Sequence, residues 1–145
     1  MSNAKTAAPS ICPSLSYDDA PAAIEWLCQA FGFRKRLVAT GAEGTITHAE
    51  LSLGAGVIFV STARPASGRL SPRSLPGVNQ AVAVYVDDPD AHFATAKAAG
   101  AEILENLKDE EFGARGYTTK DLEGHEWYFG TYVPGAYWDD AAKGV

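Results

Sequence analysis

The chain has 145 residues, 46% of them hydrophobic, which is enough for one compact domain with a core of its own. Its formal net charge is −6, and its lysines and arginines are scattered, which argues against the basic stripe of a nucleic-acid-binding surface. No apolar run approaches the ~20 residues that cross a membrane. We therefore expect a cytoplasmic protein that binds neither nucleic acid nor membrane.

The first residues and the cysteines carry little of the predicted fold. Residues 1–10 are small and polar, and we interpret them as an expression-vector remnant followed by a disordered N-terminal segment. Cys12 and Cys28 form neither a disulfide framework nor a zinc-binding motif. We expect both to be reduced thiols that pack as small apolar side chains.

Two similar phrases lie 69 residues apart, LSYDDAPAAIEWLCQAFGF from Leu15 and VYVDDPDAHFATAKAAGAE from Val84. In each, a short apolar run ends in an aspartate pair that can cap a helix, and a proline follows at an early helical position. The apolar spacing predicts helices over about 20–30 and 89–99, with Gly32 and Gly100 at their C-terminal ends.

Strand-like segments follow each predicted helix, over 34–40, 45–53 and 57–61 in the first half and 102–107, 116–120 and 125–132 in the second. Each half therefore reads as a βαβββ unit. We predict one domain over 11–133, built from repeats at about 11–62 and 80–133. A linker or flap at 63–79 joins the repeats, and a tail follows at 134–145.

The duplicated units and the closing DLEGHEWYFGTY resemble the vicinal oxygen chelate superfamily, which includes glyoxalase I, bleomycin-resistance proteins and extradiol dioxygenases. The most specific motif is the DLEGH segment that begins at Asp121. It is similar to the family's DPxGN/H turn, with Leu122 in place of proline. The resemblance implies an α+β fold in which two βαβββ repeats form a curved mixed sheet around a cavity, with helices on the convex side. It also implies a homodimer.

Metal-dependent relatives carry four ligands on their strands, and the alignment puts Cys12, Phe59, Ala81 and Tyr128 at those positions. This set cannot build a zinc or iron shell, so we expect no metal and no cofactor, as in a glyoxalase-like branch without the usual ligands. His48, Glu50, His125 and Glu126 remain possible ligands of a displaced site.

Strand alternation on the implied scaffold selects the residues that face the cavity. His48 and Glu50 lie two positions apart and could share a proton, so they are the catalytic candidates if the protein is an enzyme. Their alternative role is a polar pair at a sheet edge or a dimer seam. The ligand-binding candidates are Phe59, Tyr85, Arg115, Tyr117, Glu126 and Tyr128.

Arg115 is the candidate for gripping a carboxylate or phosphate, and a salt bridge to Glu110 or Glu111 is its alternative role. Two functions remain open. The first is a metal-independent protein that sequesters a small, aromatic or anionic ligand in a dimeric cavity. The second is an enzyme, either a lyase or isomerase that uses His48 and Glu50, or a metal-dependent glyoxalase- or dioxygenase-like enzyme with displaced ligands.

Overall fold

The computed structural model describes residues 8–136, 138 and 139, with Phe112 by its backbone. Parts of the predicted N-terminal remnant and of the predicted tail therefore lie outside the described residues. The chain forms two compact units, Met1–Gly77 and Val78–Val145. Among the described residues, no helix has both the length and the apolar character that a membrane span requires.

The first unit is a βαβββ unit with one four-stranded sheet in the order β1-β4-β3-β2. Strand β1 pairs parallel to β4, and the other pairs are antiparallel. Its elements are β1 (Ser14–Tyr17), α1 (Ala20–Phe31), β2 (Arg34–Thr40), β3 (Ile46–Leu53) and β4 (Gly56–Thr62).

Helix α1 begins and ends where the sequence predicts. The Asp19 carboxylate accepts a hydrogen bond of 3.1 Å from the Ala22 amide, which satisfies one of the free N–H groups of the first turn. Gly32 ends the helix in the left-handed conformation at φ 85°. Ile24, Leu27 and other apolar residues of the helix are buried against the sheet. The opposite face of this sheet is more polar.

The second unit repeats this arrangement, with strand order β5-β8-β7-β6. Its elements are β5 (Ala81–Tyr85), α2 (Pro89–Ala98), β6 (Glu102–Asp109), β7 (Arg115–Lys120) and β8 (Glu126–Gly130). Asp88 caps α2 by accepting a hydrogen bond of 3.0 Å from the Ala91 amide. The predicted α+β class with two βαβββ repeats is confirmed.

The core of the second unit lies between α2 and one face of its sheet. Tyr117, Thr119, Trp127 and Phe129 are each at most 1% exposed. They form two cross-strand pairs, Tyr117 opposite Phe129 and Thr119 opposite Trp127. Because successive strand residues point to opposite faces, the intervening side chains of β7 and β8 lie on the face away from α2.

The DLEGH segment is a turn organised by one carboxylate. Oδ1 of Asp121 accepts hydrogen bonds from the amides of Glu123, Gly124 and His125 at 3.0 to 3.1 Å. Its Oδ2 accepts a hydrogen bond of 3.1 Å from Nε1 of Trp127. Asp121 is 6% exposed, so these donors offset the cost of burying its charge. The turn thus sets the start of β8 and hence its register against β7.

The segment between the repeats contains two short 3-10 turns, Pro65–Ser67 and Pro72–Ser74. Ser71 is fully buried there, and its hydroxyl accepts a hydrogen bond from the Arg73 amide at 3.2 Å. The boundary between the compact units follows at Gly77. The predicted role of 63–79 as a linker or flap stays a prediction.

Candidate functional site

An open cleft of about 630 Å³ lies in the second unit. Three tyrosines, Tyr85, Tyr128 and Tyr132, contribute to its walls. Its charged lining consists of Lys108, Asp109, Glu110 and Glu111, at the end of β6 and in the loop that follows. The cleft therefore combines aromatic rings with an excess of carboxylates.

The register of two parallel strands places the aromatic part of this cleft. On β5, Ala83 lies opposite Tyr128, and Tyr85 lies opposite Gly130 of β8. The side chains of Ala83, Tyr85 and Tyr128 share the face away from α2, because Trp127 and Phe129, the neighbours of Tyr128 on β8, are buried in the core. Tyr85 is 51% exposed, so its ring is open to solvent.

Two glycines shape the floor of the cleft. Gly116 and Gly130 are partners on β7 and β8, and a Cβ added to either would collide with the hydroxyl end of the Tyr128 ring. The Tyr128 side chain therefore lies along the sheet, across both glycines. A larger residue at either position would occupy the space that the Tyr128 ring fills.

Glu110 fixes the far end of this ring. The Tyr128 hydroxyl donates a hydrogen bond of 2.6 Å to Oε1 of Glu110. Burial, together with this hydrogen bond and the charge of Glu110, raises the pKa of Tyr128 above its ordinary value. The phenol therefore stays protonated as a donor at neutral pH, and its ring is held at both ends.

Arg115, the residue expected to grip an anion, is not among the residues that line this cleft. It lies two residues before Tyr117 on β7, so both side chains are on the face of the strand that packs against α2. Its Nε and Nη2 donate to the Asp90 carboxylate at 2.9 and 3.2 Å, and its Nη1 donates to Asp109 at 3.1 Å. These bonds raise the pKa of Arg115 and lower that of Asp90.

The expected alternative partners, Glu110 and Glu111, are also not those that Arg115 uses. The guanidinium is occupied by two aspartates from α2 and β6. A guanidinium that is already bonded to two carboxylates forms a structural ion pair. Anion binding by Arg115 stays a prediction.

Tyr117 is likewise not among the residues that line the cleft, and it lies in the core of the second unit. It is 1% exposed, and its hydroxyl forms a hydrogen bond of 2.6 Å with Nδ1 of His92 on α2. Burial raises the pKa of Tyr117 above its ordinary value. On the sequence alone, Tyr117 and Tyr128 are predicted to line the same cavity, whereas the pairing of Tyr117 with Phe129 puts them on opposite faces of the sheet.

Glu126 lies on the same face as Tyr128, two residues earlier on β8, and opposite Ala81. It is half-buried but is not among the residues that line the cleft. Its predicted contribution to a ligand site stays a prediction.

The remaining predicted residues lie in the first unit. His48 Nε2 and Glu50 Oε2 are 2.8 Å apart, on the β3 face opposite the buried Ala49 and Leu51. The Phe59 ring of β4 contacts the His48 ring edge-on, with centroids 4.9 Å apart. The structure thus brings together His48, Glu50 and Phe59, as strand alternation predicts. One cavity shared with residues of the second unit stays a prediction.

The residues that the resemblance aligns with metal ligands do not fit a metal. Phe59 and Ala81 offer no donor atom, and the Tyr128 hydroxyl is committed to Glu110. Within the described part of the chain, no group of three or more histidine, cysteine, aspartate or glutamate side chains is placed to hold a metal ion. A four-ligand shell needs converging donors, so we derive no chemistry through a metal here.

Sequence reasoning missed the acidic side of the cleft. On the sequence alone, Glu110 and Glu111 are considered only as possible partners of Arg115, and Lys108 and Asp109 are not considered. Tyr132, just after β8, was missed as well. A run of carboxylates between two strands was the available signal, but only the fold shows that it lies beside tyrosines from β5 and β8.

The fold defines the class of protein: an α+β protein of duplicated βαβββ units, with an open cleft on the second sheet. Comparison with known families then identifies it further. The chain belongs to the Glyoxalase/Bleomycin resistance protein/Dioxygenase superfamily, whose family model matches residues 11–129.

Individual proteins are similar to this chain in sequence or in fold. TioX from Micromonospora sp. ML1 is 38% identical, with a TM-score of 0.68 over 85% of this chain and 98% of its own. The uncharacterised protein Mb0911c of Mycobacterium bovis is 31% identical over 86% of this chain and 84% of its own length. The fosfomycin resistance protein FosX from Mesorhizobium loti shares the fold at 11% identity, with a TM-score of 0.63 over 89% of this chain and 96% of its own.

Proposed function

We propose that this protein binds a small aromatic molecule without a metal and acts by sequestering it. The observation that carries the proposal is the cleft of about 630 Å³ in which the Tyr128 ring is held flat beside Tyr85 and Tyr132. Ligand sites are concave, rich in aromatic and apolar surface, and largely formed before the ligand arrives. This cleft has each of those properties.

The residues aligned with metal ligands of relatives support small-molecule binding over metal chemistry. Two of the four positions that carry metal in relatives lack a donor atom, and a third is a tyrosine engaged with Glu110. The matching family includes bleomycin resistance proteins by name, and one structural neighbour is a fosfomycin resistance protein. Binding of a toxic or reactive small molecule is therefore a role within the range of this fold.

We also propose that the protein works in the cytoplasm as a homodimer. Strands β2 and β6 are edge strands, and they expose Leu37 and Leu104 by 49% and 39%. Unpaired strand edges with apolar side chains favour association, and a second copy of the chain can cover them.

The test is ligand binding by the purified protein, with two variants that remove one ring each. A panel of planar aromatic compounds is screened by thermal shift, and hits are titrated by calorimetry against the wild type, Tyr128→Leu and Phe59→Leu. Tyr128→Leu should abolish binding, and Phe59→Leu, which changes the first unit, should leave it intact. Loss of binding in Phe59→Leu with retention in Tyr128→Leu would place the site elsewhere.

A second function rests on the hydrogen bond of 2.8 Å between His48 and Glu50. A histidine oriented by a carboxylate can act as a general base, so a lyase or isomerase reaction is the alternative. Both side chains are accessible, at 41% and 37% exposure. Glu50→Gln should abolish turnover in such an enzyme, but it should leave binding in the tyrosine cleft unchanged. A metal-dependent glyoxalase- or dioxygenase-like reaction with displaced ligands is a further alternative. Metal analysis of the purified protein distinguishes it from metal-independent binding and from the His48–Glu50 reaction.

A further inference from the structure

The Tyr128 ring has the properties of a stacking platform. It lies across Gly116 and Gly130, where any Cβ would displace it, and its hydroxyl is tied to Glu110 at 2.6 Å. The ring therefore needs no ordering when a ligand arrives, which removes part of the entropy cost of binding. Because it lines an open cleft, it offers its free face to a planar partner.

The charges around this ring do not cancel. Lys108, the cation of the cleft, lies 3.7 Å from Glu105, and Asp109 is bonded to Arg115. Within the described part of the chain, neither Glu110 nor Glu111 forms an ion pair with a lysine or an arginine. Three of the four charged residues that line the cleft are therefore acidic, and two of them, Glu110 and Glu111, have no lysine or arginine partner in the described part of the chain.

The Tyr128 ring and the carboxylates beside it favour the same kind of ligand. An aromatic ring presents negative potential at its face, and a nearby carboxylate adds to it, so a cation over the ring is favoured. An anion would meet repulsion from Glu110 and Glu111, and Arg115, which could offset it, is engaged with Asp90 and Asp109.

We propose that the cleft selects a planar aromatic cation, which stacks on Tyr128 and directs its positive nitrogen toward Glu110 and Glu111. The inference rests on the proposed function, because it names the ligand class of the same cleft. It departs from the anionic ligand that the sequence interpretation considered, since that ligand depended on Arg115.

The experiment uses three probes of nearly equal shape and different charge: N-methylquinolinium, quinoline and quinoline-2-carboxylate. Each is titrated by calorimetry into the full chain at neutral pH and low salt. We expect N-methylquinolinium to bind at least about fivefold more tightly than quinoline, and the carboxylate to bind most weakly. Tyr128→Leu should remove binding of all three probes.

Charge variants then separate the carboxylates from the ring. Glu110→Gln keeps an acceptor for the Tyr128 hydroxyl and removes the charge, and Glu111→Gln removes a charge that has no bond to Tyr128. Each should lower the ratio of N-methylquinolinium affinity to quinoline affinity by about threefold or more. Glu102→Gln, an exposed carboxylate at the start of β6 outside the cleft, is the matched control and should change nothing.

The outcomes distinguish the two proposals. Equal binding of quinoline and its cation, or a preference for the carboxylate, would overturn the charge selection while leaving an aromatic binding site. Binding of none of the three probes would overturn the proposed function and this inference together. A cation preference that Glu102→Gln reduces as much as Glu110→Gln would show attraction to the acidic protein as a whole, and it would also overturn the inference.

Discussion

The Tyr128 hydroxyl and the Glu110 carboxylate, 18 positions apart in the chain, form a hydrogen bond of 2.6 Å. This bond connects β8 to the loop between β6 and β7, the loop that supplies the acidic side of the cleft. One contact thus fixes the aromatic floor against the charged wall, and several predictions depend on it.

Gly130→Ala should disturb the cleft more than the rest of the fold. The new Cβ would collide with the Tyr128 ring and would come within 2.7 Å of the Arg115 carbonyl oxygen. We expect a loss of about 1 to 3 kcal/mol in the free energy of unfolding, measured by urea denaturation, and weaker binding of aromatic probes. Gly77→Ala is the control, because a Cβ there meets nothing within 4 Å. Equal effects of the two variants would contradict the assigned role of Gly130.

Tyr117→Phe should reduce stability and leave the cleft unchanged. It removes the hydroxyl that bonds Nδ1 of His92 in the core at 2.6 Å, and we expect a cost of about 1 to 2 kcal/mol. Urea denaturation measures the stability, and calorimetric titration with an aromatic probe measures the cleft. Normal stability with impaired binding would return Tyr117 to the ligand site.

The ion pair between Asp90 and Arg115 should contribute a specific acid sensitivity. Its hydrogen bonds lower the pKa of Asp90 below the ordinary value of 3.8. A lowered pKa in the folded state means stability that is present above pH 3.8 and is lost as the pH falls through the folded-state pKa. Unfolding midpoints in urea, followed with decreasing pH, should fall further for the wild type than for Asp90→Asn. Parallel curves would show that the pair adds nothing to stability.

Protein purified without chelator should carry less than about one tenth of an equivalent of nickel, zinc, iron or manganese, because a bound metal needs several converging donors. Elemental analysis by mass spectrometry measures this content. A stoichiometric metal whose removal by EDTA lowers the thermal midpoint would support an enzyme with displaced ligands.

Light scattering should report about twice the chain mass of 15.3 kDa. Leu37→Lys and Leu104→Lys place charges on the exposed edge strands β2 and β6. Whichever of these strands forms the dimer interface, the lysine variant on that strand should shift the measured mass toward that of the monomer. A wild-type protein that stays monomeric across micromolar concentrations would argue against the proposed dimer.

Much of the fold was predictable because its signals are local. Asp19 and Asp88 cap helices only three residues ahead of the amides they bind, and the duplicated phrase indicates two copies of one unit. Alternation along β3 correctly placed His48 and Glu50 on the face opposite Ala49 and Leu51. These features depend on neighbours within a few positions, so the sequence alone determines them.

The site depended on distances that the sequence does not show. Arg115 meets Asp90 from 25 positions away, and Tyr128 meets Glu110 from 18. Alternation says that successive side chains of a strand point to opposite faces, but only the pairing of β7 with β8 decides that Tyr117 enters the core with Phe129 while Tyr128 faces the cleft. Tertiary structure therefore decided which tyrosine can meet a ligand and which charge lies beside it, because register and long-range packing bring those groups together.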